Sequence, residues 1–120
     1  MSTATTSVLN IEDLLSRVDD DRELLAELFF IFKTIFPTHL QQLREAVACK
    51  APRQIETESH TLKGMLLNLS ASRAAAAAHE LEQMGRNHQF ENLNLAFDGF
   101  QAEVEALLTQ MNGYVTESQP

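Results

Sequence analysis

One pentapeptide in the middle of the chain, His60-Thr61-Leu62-Lys63-Gly64, combines residue types that suit phosphoryl transfer. A free imidazole has a pKa of about 6.5, so near neutral pH a large share of a histidine side chain is uncharged and nucleophilic. On a helix, Lys63 lies one turn beyond His60, within reach to balance the charge of a phosphoryl group. Gly64 removes the side chain that would block a partner's approach. The segment therefore predicts His60 as phosphoacceptor, Lys63 as charge balance and Gly64 as the access point.

The pentapeptide lies inside a predicted helix whose inner stripe, apolar except for one serine, recurs every three or four residues at Ile55, Ser59, Leu62, Leu66 and Leu69. With this stripe facing the core, His60, Gly64 and Leu67 point to the opposite side. A glycine in an exposed helix interior costs about 1 kcal/mol relative to alanine, so something other than helix formation favours it there. Glu56 and Ala71 extend the outer row, and Leu67 offers an apolar contact. We therefore predict that these three flanking residues contribute to partner docking.

The next helix contributes a second candidate position. His60 lies eleven residues before Ala71, and Glu82 lies eleven residues after it. In an antiparallel helix pair that turns near Ala71, the two side chains lie level. Glu82 or Gln83 is therefore expected to orient the imidazole or to bond the phosphoryl oxygens. Gln83 suits the second task better, because Glu82 would repel a phosphate unless it is protonated or turned away.

Helical spacing of apolar residues extends along almost the whole chain, and no segment alternates in the manner of a strand. Asn10 is the predicted N-cap of a short first helix that stops at the acidic run 19–21. A long, deeply buried second helix is predicted from Asp21 to near Lys50. Pro37 is expected to kink this helix without ending it, because the apolar stripe keeps its phase.

The remaining helices have recognisable start and stop signals. Pro52 is placed for the first turn of the third helix. Ser70 or Ser72 is expected to cap the fourth helix, and Gly85 to stop it. The last helix has an apolar seam over 90–111, with the spacing typical of a left-handed bundle. Four long helices with short connections predict an all-α fold, an antiparallel four-helix bundle with a short additional N-terminal helix.

Composition limits the domain count and the class of partner. The 120 residues predict one domain over 8–115, with a disordered lead at 1–7 and a disordered tail at 116–120. The net charge of −8 argues against nucleic acid and anionic membranes as partners. No apolar run approaches the roughly 20 residues of a membrane span, so no membrane insertion is expected. The single cysteine, Cys49, cannot form an intramolecular disulfide, which fits a cytoplasmic protein.

The motifs together resemble the histidine phosphotransfer (HPt) domain family of two-component phosphorelays. The resemblance covers roughly residues 8–113 and depends on four segments, which are Asp21–Leu25 with Phe36-Pro37, His60–Gly64, Asn68–Ala71 and Leu81-Glu82. The chain departs from the family pattern at Met65, where a small residue is usual, and at Ser70, where glycine is usual. Some family members have glutamine at the position of Glu82.

The resemblance implies a bundle in which His60 carries a phosphoryl group between aspartates of response-regulator receiver domains. Those receivers, rather than this domain, would bring Mg²⁺ and the acidic pocket, so no cofactor is expected on the chain itself. A hybrid sensor histidine kinase is an alternative partner. The implied role is that of a carrier, with a covalent phosphohistidine and no kinase activity of its own. A monomer with a modest, transient interface is expected.

Two other interpretations stay open at this stage. A bundle of this shape would also serve as an adaptor that binds a receiver without accepting phosphate. It would equally serve as the phosphoacceptor domain of a larger sensor kinase. A metal site is not expected, because His39, His79 and His88 do not have metal-ligand spacing among themselves or with His60. No glycine-rich phosphate loop is present, which argues against ATP binding.

Overall fold

The computed structural model describes residues 9–118, and this part of the chain is helical without any strand. The helices are α1 (Ile11–Arg17), α2 (Arg22–Cys49), α3 (Pro52–Asn68), α4 (Ser72–Arg86) and α5 (Leu93–Ser118). The all-α prediction is confirmed. The lead predicted at 1–7 lies outside the described residues. The tail predicted to begin at 116 begins inside α5, and its last two residues lie outside the described part.

The four long helices pack as a closed ring around one core. Each packs against its neighbour in the chain, α5 packs back against α2, and the largest contact is between α3 and α4. The pairs Glu56–Arg86 and His60–Glu82 run in opposite directions along α3 and α4, as antiparallel helices require. Large apolar side chains from all four helices fill the centre, among them Phe29, Phe36, Leu62, Leu81 and Phe100. The predicted four-helix bundle with a short N-terminal helix is therefore confirmed.

Local chemistry explains several helix ends. The side chain of Asn10 accepts a hydrogen bond of 3.0 Å from the Asp13 amide, and Asp21 caps α2 through the Leu24 amide at 3.0 Å. The second helix continues across Pro37 to Cys49, as predicted, and ends where Lys50 adopts a left-handed conformation with φ of 51°.

The predicted deep burial of α2 is wrong for part of its surface. Leu24, Phe30, Ile31 and Ile35 are exposed, although Phe29, Phe32 and Phe36 on the same helix are buried. Among the described long helices, α2 packs only against α3 and α5, so a broad stripe of its surface has no neighbouring helix in this part of the chain. This stripe includes apolar residues that sequence periodicity alone assigned to the core.

The predicted signals at both ends of α4 are also wrong. Neither Ser70 nor Ser72 caps the helix, because Ala71 occupies the N-cap position without a side-chain hydrogen bond. Gly85 does not stop it, since the helix continues to Arg86. A Cβ atom on Gly85 would lie 2.8 Å from the Pro52 carbonyl oxygen. This glycine is therefore required by the close approach of α3 and α4 and has no role in ending the helix.

The short helix α1 covers the turn between α3 and α4. Arg17 donates hydrogen bonds to the carbonyl oxygens of Leu67 and Asn68, at 3.5 and 3.2 Å, and so satisfies groups that the end of α3 leaves unpaired. The hydroxyl of Ser70, in the same turn, donates to the Asp13 carboxylate. These contacts fix the C-terminal end of α3.

Within the described residues, none of the helices combines the length and apolar character needed to cross a bilayer.

Candidate functional site

The His60 side chain stands on the outer surface of α3 with 69% of its area exposed. Its Nδ1 atom lies 3.0 Å from Oε2 of Glu82 on α4. An ionised carboxylate only accepts hydrogen bonds, so Nδ1 carries the proton and donates it to Glu82. In the neutral ring this leaves the lone pair on Nε2, which makes no hydrogen bond within the described residues. His60 therefore presents its nucleophilic nitrogen outward.

Glu82 is the centre of the site. Its side chain is only 4% exposed, and four nitrogen atoms lie within 4 Å of its carboxylate. Besides His60, these are Lys63 Nζ at 2.7 Å, Arg86 Nη2 at 3.3 Å and His79 Nδ1 at 3.7 Å. Burial by itself raises the pKa of this carboxyl. The hydrogen bonds and charges of Lys63 and His60 outweigh it and hold the pKa of Glu82 below its ordinary value.

Lys63 lies beside His60 with its side chain 21% exposed. Its ammonium is one helical turn beyond the imidazole on α3, as the spacing predicted. The ion pair with Glu82 on α4 fixes its position in the absence of phosphate. Most of the side chain is covered at the α3–α4 contact, and its ammonium lies against the buried carboxylate.

The surface next to His60 is open. A Cβ atom added to Gly64 would meet no atom within 4 Å, so nothing in the described chain requires glycine at this position. Leu67, one turn further along α3, is 51% exposed. Both observations agree with the predicted outer row. The role of Gly64 in a partner's approach stays a prediction.

Two residues predicted for the outer row or the phosphoryl contact lie elsewhere. Ala71 is completely buried, because α3 ends at Asn68 and the chain turns inward to begin α4. Gln83 lines the groove between α4 and α5, because one residue along a helix rotates the side chain by about 100° away from Glu82. Glu56 does lie beside the site, where it accepts a hydrogen bond of 2.8 Å from Arg86 Nε.

Two members of the cluster, His79 and Arg86, were not predicted from the sequence. They lie three residues before and four residues after Glu82, so helical spacing already placed them on its face of α4. That signal becomes informative only once Glu82 is known to face His60.

Within the described residues, the site contains no group of His, Cys, Asp and Glu side chains that could hold a metal ion.

Comparison with known proteins agrees with this fold. The family model for the Hpt domain matches residues 27–111, so the chain belongs to the Hpt domain family. The structure is similar to that of histidine-containing phosphotransfer protein B from Pseudomonas aeruginosa PAO1, with a TM-score of 0.86. The alignment covers 96% of this chain and 100% of that chain at 16% identity, which shows a common fold. A search of curated protein sequences finds no significant match.

Proposed function

We propose that this protein is a phosphorelay carrier that accepts a phosphoryl group on Nε2 of His60 from a receiver-domain aspartate and passes it to another receiver. The observation that carries this proposal is the pairing of His60 Nδ1 with the buried carboxylate of Glu82, in a chain that belongs to the Hpt domain family. The pairing selects one nitrogen of the ring as nucleophile and directs it to solvent.

The transfer step follows from this geometry. The Nε2 lone pair attacks phosphorus of the aspartyl phosphate, the bond from phosphorus to the aspartate oxygen breaks, and the aspartate leaves as a carboxylate. The Nδ1 proton remains in place, so the phosphorylated ring bears a positive charge. Glu82 stabilises that charge in the way a buried carboxylate stabilises an imidazolium in hydrolytic triads. The reverse step restores the neutral ring and donates the phosphoryl group to a second receiver.

Lys63 supplies the positive charge that the transferred group needs. Its ammonium now lies 2.7 Å from an oxygen of Glu82, and rotation of its flexible side chain would move it to a phosphoryl oxygen on His60. Mg²⁺ and the acidic pocket come from the receiver. On this basis the protein contributes a nucleophile and a docking surface, without kinase activity of its own.

The docking surface includes Leu67 and the exposed apolar residues of α2. His39 Nδ1 on α2 lies 3.4 Å from Glu58 Oε1 on α3, and the two helices are antiparallel. One and two turns back along α2 from His39, Ile35 and Ile31 therefore flank the stretch of α3 that carries His60 and Leu67. Such a patch of apolar side chains around an exposed nucleophile suits a modest and transient interface.

The proposal is tested by incubating the full chain with a phosphorylated receiver domain and Mg²⁺, and by measuring acid-labile phosphate on the protein. Label is expected on the wild type and on His88→Asn, a matched variant of an exposed histidine outside the cluster. No label is expected on His60→Gln. Label on His60→Gln would contradict the assignment of the residue. Binding of receivers without any label on the wild type would favour the adaptor function instead.

A further inference from the structure

His79 occupies an unusual place beside the ion pair of Lys63 and Glu82. Its Nδ1 atom lies 3.4 Å from Lys63 Nζ and 3.7 Å from Oε1 of Glu82, the same oxygen that Lys63 holds at 2.7 Å. An ammonium can only donate hydrogen bonds, so Nδ1 of His79 is the acceptor and carries no proton in this arrangement. The imidazole of His79 is thus neutral and lies next to the Glu82 carboxylate. Lys63 already occupies the hydrogen-bonding position at Oε1.

A phosphoryl group on His60 adds a second anionic group that needs a cationic partner in this cluster. Lys63 would then lie between two anionic groups, the Glu82 carboxylate and the phosphoryl oxygens. If Lys63 moves to the phosphoryl group, Oε1 of Glu82 loses its cation while the carboxylate remains 4% exposed. Oε2 keeps its contacts with His60 and Arg86, but a buried carboxylate oxygen without a donor is unfavourable, so a second donor at Oε1 would stabilise this state.

We propose that His79 is a positioning residue that takes up a proton and replaces Lys63 on Glu82 when His60 carries a phosphoryl group. This inference rests on the proposed phosphocarrier function. The proton comes from solvent, to which 53% of the His79 side chain is exposed, and it binds Nδ1, which then donates to Oε1 of Glu82. Glu82 thereby keeps its charge and its hold on His60, while Lys63 becomes free for the phosphoryl oxygens.

The surroundings of His79 allow this exchange. A shallow cavity of about 280 Å³ lies between α3 and α4 beside the ring, lined by Lys63, Leu67, Ser72, Ala75, Ala76 and His79. The small side chains of α4 leave open space beside the ring, and its Nδ1 atom already lies 3.7 Å from Oε1 of Glu82, so the exchange needs only a short movement. Arg86 already binds Glu56 at 2.8 Å and the other oxygen of Glu82 at 3.3 Å, so it holds Oε2 and not Oε1.

The charged groups around His79 are few. From α3 it faces Lys63, and from its own helix it faces Glu82. Neighbouring Glu80 lines the groove on the α4–α5 side. In the described part of α5, no charged side chain pairs with His79. Glu103 on that helix pairs instead with Arg73 on α4. Lys63 and Glu82 are therefore the charged groups in contact with His79 within the described residues.

The direct test is an NMR titration of the imidazole groups in the full chain. Spectra are recorded for the wild type, for the wild type phosphorylated with phosphoramidate, and for Lys63→Met. Removal of Lys63 vacates Oε1 of Glu82 without any phosphoryl group. The titration midpoint of His79 is expected to rise by about one pH unit in both the phosphorylated protein and Lys63→Met. His88, outside the cluster, is the internal reference and is expected to stay unchanged.

A second measurement follows the transfer equilibrium with one receiver between pH 6 and pH 8. Proton uptake at His79 favours the phosphorylated carrier at low pH, by up to about tenfold per pH unit for one linked proton. His79→Gln is expected to lose this part of the pH dependence, whereas His88→Asn retains it. Because the receiver is common to all three proteins, its own titration cancels in the comparison. A merely structural role of His79 would change the level of the equilibrium and leave its pH slope intact.

The outcomes separate this inference from the function on which it rests. Phosphoryl incorporation at His60 with an unmoved His79 midpoint would overturn the exchange alone, and would indicate that Lys63 stays on Glu82. An equal pH slope in wild type and His79→Gln would overturn it as well. Absence of phosphoryl incorporation at His60 from both phosphoramidate and a phosphorylated receiver would remove the function and the exchange together.

Discussion

The backbone of Gly85 approaches Pro52 so closely that a Cβ atom on the glycine would lie 2.8 Å from the proline carbonyl oxygen. This contact joins the end of α4 to the first turn of α3, close to the Glu56–Arg86 pair. The same Cβ would lie 2.8 Å from the Glu56 amide nitrogen, so backbone atoms on two sides limit the space. The distance between the helices that carry His60 and Glu82 is therefore set partly by the absence of one methyl group.

Gly85→Ala is expected to destabilise the protein by about 1–3 kcal/mol, because the added methyl group has to push the backbone of α3 away. Gly99→Ala is the matched control on α5, where an added Cβ meets no atom within 4 Å. It is expected to stabilise by up to about 1 kcal/mol through helix propensity. Urea denaturation of the three proteins measures both changes. Equal effects at the two positions would show that the close approach of α3 and α4 has no energetic role.

A large side chain at position 64 is expected to block phosphoryl transfer without harming the fold. Gly64→Gln places a side chain into open space next to His60, so helix stability rises by up to about 1 kcal/mol while the transfer rate from a receiver falls at least about tenfold. Gly99→Gln gains similar stability and is expected to transfer at the wild-type rate. Rapid-quench transfer assays and thermal unfolding separate the two effects, and normal transfer by Gly64→Gln would refute the access role.

Lys63→Ala is expected to slow transfer more than it weakens docking. The ammonium balances charge on the transferred group, whereas the exposed apolar contact comes from Leu67. The transfer rate is expected to fall about 10-fold to 100-fold, with a change in receiver affinity of less than about threefold. Leu67→Ala is the complementary variant and should show the opposite pattern. Parallel losses of rate and affinity in Lys63→Ala would contradict its assignment as a charge-balancing residue.

Glu82→Gln is expected to reveal a pH-dependent contribution to stability. The folded-state pKa of Glu82 lies below the ordinary value of 4.5, so the ionised carboxylate stabilises the fold above that pH. This contribution is lost as the pH falls through the lowered pKa, where the carboxyl becomes protonated in the folded state as well. The wild type is therefore expected to exceed Glu82→Gln by about 1–3 kcal/mol at pH 7 and to lose this advantage toward pH 3. Denaturation curves at several pH values measure the difference, and a constant offset would rule out the linkage.

Ser70 occupies a position where glycine is usual in the family. Substitutions at Ser70 test whether its hydrogen bond compensates for the backbone strain. Its φ of 54° favours glycine, and its hydroxyl compensates by donating to Asp13 on α1. Ser70→Ala keeps the strained backbone and loses the hydrogen bond, so we expect a loss of about 1–2 kcal/mol. Ser70→Gly relieves the strain while losing the same bond and is expected to stay within about 0.5 kcal/mol of wild type. Chemical denaturation measures both, and a larger loss in the glycine variant would reverse this account.

The sequence by itself predicted the helices, which the structure confirms, and the residue that we propose as nucleophile. Apolar spacing of three and four residues predicted four long helices, because a helix can bury only one stripe of its surface. The types and spacing of His60, Lys63 and Gly64 predicted an outward phosphoacceptor with a cation one turn away. Counting eleven residues on each side of Ala71 also brought Glu82 level with His60, since antiparallel helices have a fixed rise per residue.

Only the tertiary structure decided how the charges around His60 are shared. Sequence reasoning preferred Gln83 to Glu82, because a carboxylate beside a phosphoryl group is repulsive when considered alone. The packing of α3 on α4 turns Glu82 toward the α3–α4 interface, where the cations Lys63 and Arg86 neutralise it and His60 donates a hydrogen bond. The contacts with Lys63 and His60 depend on the distance and rotation of two helices, which residue spacing along one helix does not contain, whereas Arg86 is placed by spacing along α4 itself. Ala71 was misassigned because the chain turns inward after α3 and buries it. Gly85 was misassigned because its role follows from the α3 backbone that lies opposite it.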